Sequence, residues 1–209
     1  MLTTPNVVIP TQARTVQGVC LILGPLLNAA ATFFWTDDGR HGVVGGALVA
    51  WSSVLWLPGL LGLWEIVRSS RPVLGSVGAA LAVIGSFGGI AFGLQGFYEG
   101  AFGLDKQQSL DALAAYPLTS QLVLWLPGLT FPLMIVLLAV ALARTRSAPM
   151  WMWAALGVGG LLWPVSRIPR IEAIAHVADL AVLVPSAGLG ALLIASALPL
   201  RPARSAAST

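Results

Sequence analysis

The residues best suited to chemistry open the last predicted helix. Glu172, His176 and Asp179 are four and three residues apart, so an α-helix presents all three on one face. A second group lies in the loop after the first helix and holds Asp37, Asp38 and His41. Two imidazoles and four carboxylates on one side of a membrane could hold a divalent ion or relay protons. We therefore interpret these six residues as a candidate ligand, proton or ion site.

A simpler interpretation of the same cluster remains open. Leu180–Leu200 is long enough to span a bilayer alone, which would leave Asp179 in water at the interface. Glu172 could pair with Arg170 or stabilise the N-terminal end of the helix dipole. If the helix instead begins at Ile171, Asp179 lies inside the bundle and needs a partner there.

Other catalytic patterns are not present in the sequence. It has no Gly-x-Ser-x-Gly, His-Glu-x-x-His or phosphate-binding loop motif. Cys20 is the only cysteine, so neither an intramolecular disulfide nor a cysteine-based metal site can form. We expect no cofactor and leave the identity of any metal open. A non-enzymatic role is favoured over catalysis.

The elements that position these residues follow from the scarcity of charge. The 209 residues include 11 Lys and Arg and 8 Asp and Glu, which is 9% charged, and 57% are hydrophobic. A soluble domain carries about 25% charged residues. This composition excludes an ordinary soluble enzyme, a disordered chain and a disulfide scaffold. It predicts an all-α, polytopic transmembrane helical bundle.

Six apolar segments predict six spans within a transmembrane domain of residues 15–200. A cytoplasmic N-terminal segment covers residues 1–14, and a disordered cytoplasmic tail covers 201–209. The predicted spans cover about 15–36, 42–66, 72–98, 118–143, 149–166 and 172–199.

The orientation follows from the positions of the basic residues, which favour the cytoplasmic side. With both termini inside, seven basic residues are cytoplasmic and four are in outer loops, so we predict a multi-pass plasma (inner) membrane protein. A cleaved signal peptide, with Ala29–Ala31 at its cleavage site, is the rival interpretation of the first segment. The cytoplasmic set is Arg14, Arg68, Arg71, Arg144, Arg146, Arg201 and Arg204, and the outer set is Arg40, Lys106, Arg167 and Arg170. Arginines at helix ends are typical of lipid contact, so the bilayer is the expected partner and nucleic acid is not.

A seven-residue motif occurs twice. Val54–Leu60 and Val123–Leu129 both read VLWLPGL, with an offset of 69 residues. Pro58-Gly59 and Pro127-Gly128 should kink the second and fourth spans, and interrupted helices in corresponding halves indicate a binding site in transporters. The alternative is that proline and glycine simply shape membrane helices, where both are frequent.

Glycines form a stripe along the third span. Gly85, Gly89 and Gly93 are four residues apart, so they share a face on which another helix can approach closely. The partner is either another helix of the same bundle or a second chain. A homo- or hetero-oligomer is therefore left open.

One junction carries a resemblance to a known family. The basic turn Ala143–Trp151 is followed by Gly157–Gly160. It resembles a junction in an uncharacterised family of small bacterial integral membrane proteins with six or seven spans. The resemblance covers spans four to six, and it implies the architecture but no catalytic residues.

Three functions are consistent with the sequence. The first is a non-enzymatic bundle that binds or moves a small molecule or ion, motivated by the proline-glycine pairs and the outer ionisable cluster. The second is an assembly or interaction subunit of a membrane complex, which would use the glycine stripe. The third is a membrane enzyme with an outer-side Glu/His/Asp site.

Overall fold

The computed structural model describes residues 11–36 and 39–195. This part of the chain is helical and contains no strand, so the all-α prediction is confirmed. It comprises seven helices: α1 Thr11–Thr32, α2 Gly42–Ser70, α3 Pro72–Phe102, α4 Lys106–Ala114, α5 Pro117–Thr145, α6 Met150–Arg167 and α7 Glu172–Ile194. Asp37, Asp38, the predicted tail and most of the predicted N-terminal segment lie outside the described residues.

Among the described residues, five helices have the length and composition needed to cross a membrane, and they are α1, α2, α3, α5 and α7. This finding supports the predicted multi-pass membrane class. The fifth predicted span, α6, has 18 residues and is not one of the five. Its three tryptophans, Pro164 and Arg167 lower its hydropathy relative to the others.

The helix bounds differ from the predicted spans mainly at the ends. α1 begins four residues earlier than predicted and ends at Thr32, where Phe33 and Phe34 form a turn. α2 and α3 each extend four residues beyond their predicted ends, to Ser70 and Phe102. Helical backbone satisfies its own hydrogen bonds, so helices can continue beyond the apolar stretch that hydropathy detects.

Six of the helices form a closed ring. Each packs on its neighbours in the order α1, α2, α3, α5, α6 and α7, and α7 packs back on α1. Neighbours are antiparallel: Gly46 near the start of α2 approaches Phe97 near the end of α3, while Trp64 near the end of α2 approaches Gly78 near the start of α3. The short helix α4 lies outside this order, in the connection between α3 and α5.

The glycines of α3 lie at contacts within the ring. A side-chain carbon at Gly85 would meet Phe131 of α5, and one at Gly89 would meet Ser53 of α2. At Gly93 the closest atom is the backbone nitrogen of Ala50. The predicted stripe therefore packs against two neighbouring helices of the same chain.

The two copies of the repeated motif adopt different backbones. Pro58 lies inside the continuous α-helix α2. Pro127 follows a π-helical turn, Gln121–Trp125, in which the Leu126 amide donates to the Gln121 carbonyl. Proline lacks the N–H that the preceding turn would use, and such local widening is a common way for a helix to accommodate it.

A capping box starts α4. The Asp105 carboxylate accepts from the Gln108 amide at 2.8 Å, and the Gln108 side chain accepts from the Asp105 amide at 2.9 Å. Ser109 lies within the helix, is buried, and bonds a side chain of α3.

Candidate functional site

Asp179 is a buried carboxylate with three side-chain partners. It is 4% exposed. Its Oδ1 accepts from Asn28 Nδ2 at 2.8 Å and forms an ion pair with Arg167 at 2.5 Å, and its Oδ2 accepts from Thr32 Oγ1 at 2.6 Å. The partners come from α1 and α6, so one carboxylate joins three helices. We call Asn28, Thr32, Arg167 and Asp179 the carboxylate cluster.

Local sequence explains why these residues meet. Asn28 and Thr32 are four residues apart and therefore share a face of α1. Because α7 begins at Glu172, Asp179 lies about 10 Å along the helix and inside the bundle. Its depth requires partners, because a buried charge is strongly unfavourable unless it is paired and hydrogen-bonded.

Arg167 links this cluster to the aromatic core. Its guanidinium lies 4.5 Å from the ring centroid of Trp163, and it also donates to Ser166 Oγ at 3.1 Å. A guanidinium over an indole face gains cation–π attraction, which strengthens when both groups are shielded from water. Arg167 was predicted to be an outer loop charge, but it is the last residue of α6 and 15% exposed.

Glu172 and His176, which were predicted to form a site with Asp179, are not among its partners. His176 Nε2 lies 3.5 Å from Glu172 Oε1, and the Glu172 side chain is 64% exposed. The His176 ring packs on Phe33 at 4.6 Å. Across residues 11–36 and 39–195, no three His, Cys, Asp or Glu side chains come together as metal ligands.

His41 lies just before α2 and faces the same end of the ring. Its Nδ1 accepts from Trp35 Nε1 at 3.0 Å, and the two rings meet edge to face. Burial, together with the positive charges of Arg167 and Arg170, lowers the pKa of His41 to about 3. His41 is therefore neutral at physiological pH, with Nδ1 unprotonated.

A cavity of about 370 Å³ lies within the ring at this end. Asp179 does not line it, but its partners Asn28 and Arg167 do. Six aromatic side chains contribute to the wall, and four basic side chains lie around it. The aromatic residues are Trp35, Trp56, Phe92, Trp125, Phe131 and Trp163, and the basic ones are Arg40, Lys106, Arg167 and Arg170.

Three of the aromatic rings form a cluster at the centre of the ring. Trp56 of α2, Phe131 of α5 and Trp163 of α6 lie with ring centroids 4.8 to 6.3 Å apart. These spacings are typical of favourable aromatic pairs. Below them, towards the opposite end, the interior is filled by buried side chains such as Leu63, Trp64 and Leu142.

Glu99 is a second buried carboxylate at this end of the ring; unlike Asp179 it lines the cavity, and it is 5% exposed. It accepts from Gln95 Nε2 at 2.8 Å and from the Ser109 hydroxyl. Glu99 is therefore shielded from water although it lies near the end of α3. The capped helix α4 carries Ser109 over it, and this cover could not be read from the α3 sequence alone.

Two residues that line the cavity each hold a buried, uncharged polar atom that lacks a hydrogen-bond partner among the residues that the structure describes. These atoms are the indole nitrogen of Trp56 and the side-chain oxygen of Gln95. The orientation of the Gln95 amide follows from Glu99, since the amide nitrogen must face the carboxylate that it donates to. One donor and one acceptor are thus left over.

The repeated motif contributes to the cavity through its tryptophans. Trp56 and Trp125 occupy the same motif position, and both line the cavity. Only one of the two predicted proline-glycine pairs lies at the cavity. Gly59 packs on Leu21 of α1, whereas Gly128 packs on the Phe92 ring at the cavity wall. Because the two tryptophans occupy the same position of the repeated motif, the repeat could have indicated from sequence alone that they share a site.

Comparison with known proteins adds no relative. No protein-family model, curated protein or solved structure matches this chain.

Proposed function

We propose that this chain is a six-span protein of a bacterial plasma membrane that binds a small molecule in the cavity at the outer end of its helix ring. Both termini lie in the cytoplasm in this proposal. A role in binding is favoured over catalysis because Asp179 and Glu99, the two buried carboxylates among the described residues at this end, are already engaged by neutral or positive donors.

The sixth span in this proposal is α6. Its 18 residues extend about 27 Å, close to the roughly 30 Å of a bilayer core. It packs between α5 and α7, both of which are long and apolar enough to span. The seven-to-four distribution of basic residues supports the orientation.

The observation that carries the binding proposal is the cavity. Its volume of about 370 Å³ falls within the range of about 300 to 1,000 Å³ found for small-molecule sites. Such sites combine an apolar, aromatic wall with a few polar groups, as here. Because side chains fill the opposite half of the ring, the cavity is closed towards the cytoplasm in this conformation. Movement of a ligand across the membrane would require a second conformation.

Binding can be tested with 2-naphthol as a probe and the protein in lipid nanodiscs. Equilibrium dialysis against empty nanodiscs of the same lipid separates saturable binding from partition into lipid. We expect one saturable site per chain. Val49→Phe fills the cavity wall and should abolish it, whereas Val54→Phe, on the exposed face of the same helix, should not. No saturable excess, or equal binding by both variants, would contradict the proposal.

The topology can be tested with single cysteines in a Cys20→Ser background. Met150 begins α6 and Ile168 directly follows its last residue, so Met150→Cys and Ile168→Cys mark its two ends, and both positions are well exposed. Intact cells treated with a membrane-impermeant maleimide should be labelled at residue 168 and not at 150. A permeant maleimide should label both. Labelling of both sites by the impermeant reagent would show that α6 does not cross the bilayer.

A further inference from the structure

The cavity is open on one side. Its wall residues from α1, α2 and α3 are all buried or partly buried. The exposed residues of the wall belong instead to α4, to α5 and to the position that directly follows α6. They are Lys106, Leu110, Trp125, Leu129 and Ile168. The opening is therefore bordered by α4, α5 and the end of α6, and all of these exposed residues except the lysine are apolar.

The packing of α5 accounts for an opening at this place. Gly160 of α6 lies against Ile135 and Val136 of α5, so the two helices pack closely at that level. Nearer the outer end, the π-helical turn Gln121–Trp125 packs on α3 and, within the described residues, has little contact with α6. Such turns interrupt regular helix geometry and are frequent at functional sites. The close packing of α5 on α6 thus does not extend to the turn that carries Trp125.

In the proposed six-span arrangement, the opening lies at a depth where lipid chains surround the helices. Leu129 is two residues from Phe131, whose ring centroid lies 4.8 Å from that of Trp163. Trp163 is four residues before the end of α6, which places this level about 6 Å inside the span. Leu129 is 52% exposed although it lines the cavity, and α5 has no charged residue before Arg144. An apolar rim at this depth faces hydrocarbon.

The cavity wall changes from charged to apolar with depth. Its basic residues all belong to the outer connections or to the helix ends beside them, and they are Arg40, Lys106, Arg167 and Arg170. Glu99, its acidic residue, lies at the same end of α3. Deeper in the ring, the wall is formed by the cluster of three aromatic rings. This gradient matches a molecule with a polar group at one end and an apolar chain at the other, oriented as lipids of the outer leaflet are.

We infer that the ligand is an amphiphile dissolved in the outer leaflet, and that its apolar chain enters the cavity sideways, between α5 and the end of α6. The polar group of the ligand stays at the outer end, beside water and the basic side chains. The inference rests on the proposed binding function and specifies the ligand class and the route to the site. It makes the bilayer the source of the ligand. Entry of a water-soluble ligand past α4 is the competing route.

A photoactivatable amphiphile tests the ligand class. Hexadecanol with a diazirine in the middle of its chain is added to the protein in nanodiscs and illuminated, and its adducts are located by mass spectrometry. Phe92 lines the cavity and is partly buried, whereas Leu94 of the same helix is exposed and does not line it. We expect adducts on Phe92 to saturate with the probe and to be lost on competition with unlabelled hexadecanol. Adducts on Leu94 should rise in proportion to the probe and resist competition.

Variants of two leucines in α5 test the route. Leu129→Trp narrows the opening with an indole and should remove the saturable adducts on Phe92. Leu133 lies one turn further along the helix, is 60% exposed and does not line the cavity, so Leu133→Trp should be labelled as the natural chain is. Leu129→Ala widens the opening and should retain the saturable adducts, which distinguishes a blocked opening from a disturbed helix. Adducts on Leu94 in every variant verify that the probe has reached the bilayer.

The contrary outcomes separate the inference from the proposed function. Adducts on Phe92 that do not saturate, together with saturable binding of 2-naphthol, would overturn the amphiphile and leave the proposed binding site standing. Saturable adducts that are equal in Leu129→Trp and Leu133→Trp would overturn the side entrance in favour of entry past α4. If neither hexadecanol nor 2-naphthol binds saturably, the binding function itself is refuted.

Discussion

The Asp179 carboxylate offers the sharpest test of how the ring is held together. Asp179→Asn preserves size but removes the charge that faces Arg167 and replaces one acceptor oxygen by a donor. The Arg167 guanidinium, 15% exposed, then lacks its counter-ion, and either Asn28 or Thr32 faces a second donor. Breaking a buried ion pair from one side typically costs about 3 to 5 kcal/mol. We expect a loss of this size in the free energy of unfolding.

The assay is reversible unfolding in mixed micelles, with SDS as denaturant and far-ultraviolet circular dichroism as signal. Glu172→Gln is the control, because Glu172 also belongs to α7 and also faces a basic partner, but it is 64% exposed. A surface pair contributes about 0 to 1 kcal/mol, so this variant should unfold nearly as the natural chain does.

A double variant distinguishes the stability lost with the ion pair from the stability lost through altered packing. In Arg167→Met/Asp179→Asn no uncompensated charge remains, so the double variant should be more stable than Asp179→Asn alone. Neighbouring sites that act together show such non-additivity, with coupling of about 0.5 to 3 kcal/mol. A loss below about 1 kcal/mol for Asp179→Asn, or a double variant that is as unstable as the two single losses combined, would refute the reasoning.

Two further predictions concern the cavity end and the helix contacts. As pH falls from 6.5 towards 3, unfolded chains protonate His41 while folded chains do not, so stability should fall by at most about 1.4 kcal/mol per pH unit. In His41→Asn, which keeps an acceptor for Trp35, denaturant titrations across this range should show a smaller slope; an unchanged slope would contradict the assignment. At Gly88 a methyl group would lie 2.3 Å from the Pro127 carbonyl carbon, so Gly88→Ala should cost about 1 to 3 kcal/mol by the same unfolding assay. At Gly157 the nearest atom is 3.6 Å away, so Gly157→Ala should be neutral or stabilise by up to about 1 kcal/mol, and equal losses at the two sites would contradict the packing.

The class of the protein and its helices could be predicted because they depend on local composition. Few charges and long apolar segments give transmembrane helices regardless of how they pack. The pairing of Glu65 with Arg68 could also be predicted from sequence, because residues three apart on a helix are neighbours. The two side chains do form an ion pair.

The residues of the candidate site could be predicted only in part, because the depth of a side chain within the bundle depends on how the helices pack. Periodicity placed Glu172, His176 and Asp179 on one face, but the packing of α1 and α6 buries only Asp179. Asn28 and Thr32 were not identified as its partners. The sequence did hold an indication of their role, because two polar residues four apart in an apolar helix share one face and need a polar partner there.

The repeated motif shows a different limit of sequence reasoning. Seven identical residues predicted two equivalent kinked helices. One copy lies in a regular α-helix and the other begins within a π-helical turn, and their glycines have different neighbours, since Gly59 packs on Leu21 and Gly128 packs on Phe92. Identical residues thus meet different surroundings, which the motif alone does not indicate.

Closure of the ring by its first and last helices has a consequence for biosynthesis. Asn28 and Asp179 are 151 residues apart, so α1 leaves the ribosome long before its partner exists. Until α7 is inserted, Asn28 and Thr32 of α1 and Arg167 of α6 lack the carboxylate to which they bond. The carboxylate cluster is thus the last feature to form, and a chain truncated before α7 leaves these polar side chains without their acceptor.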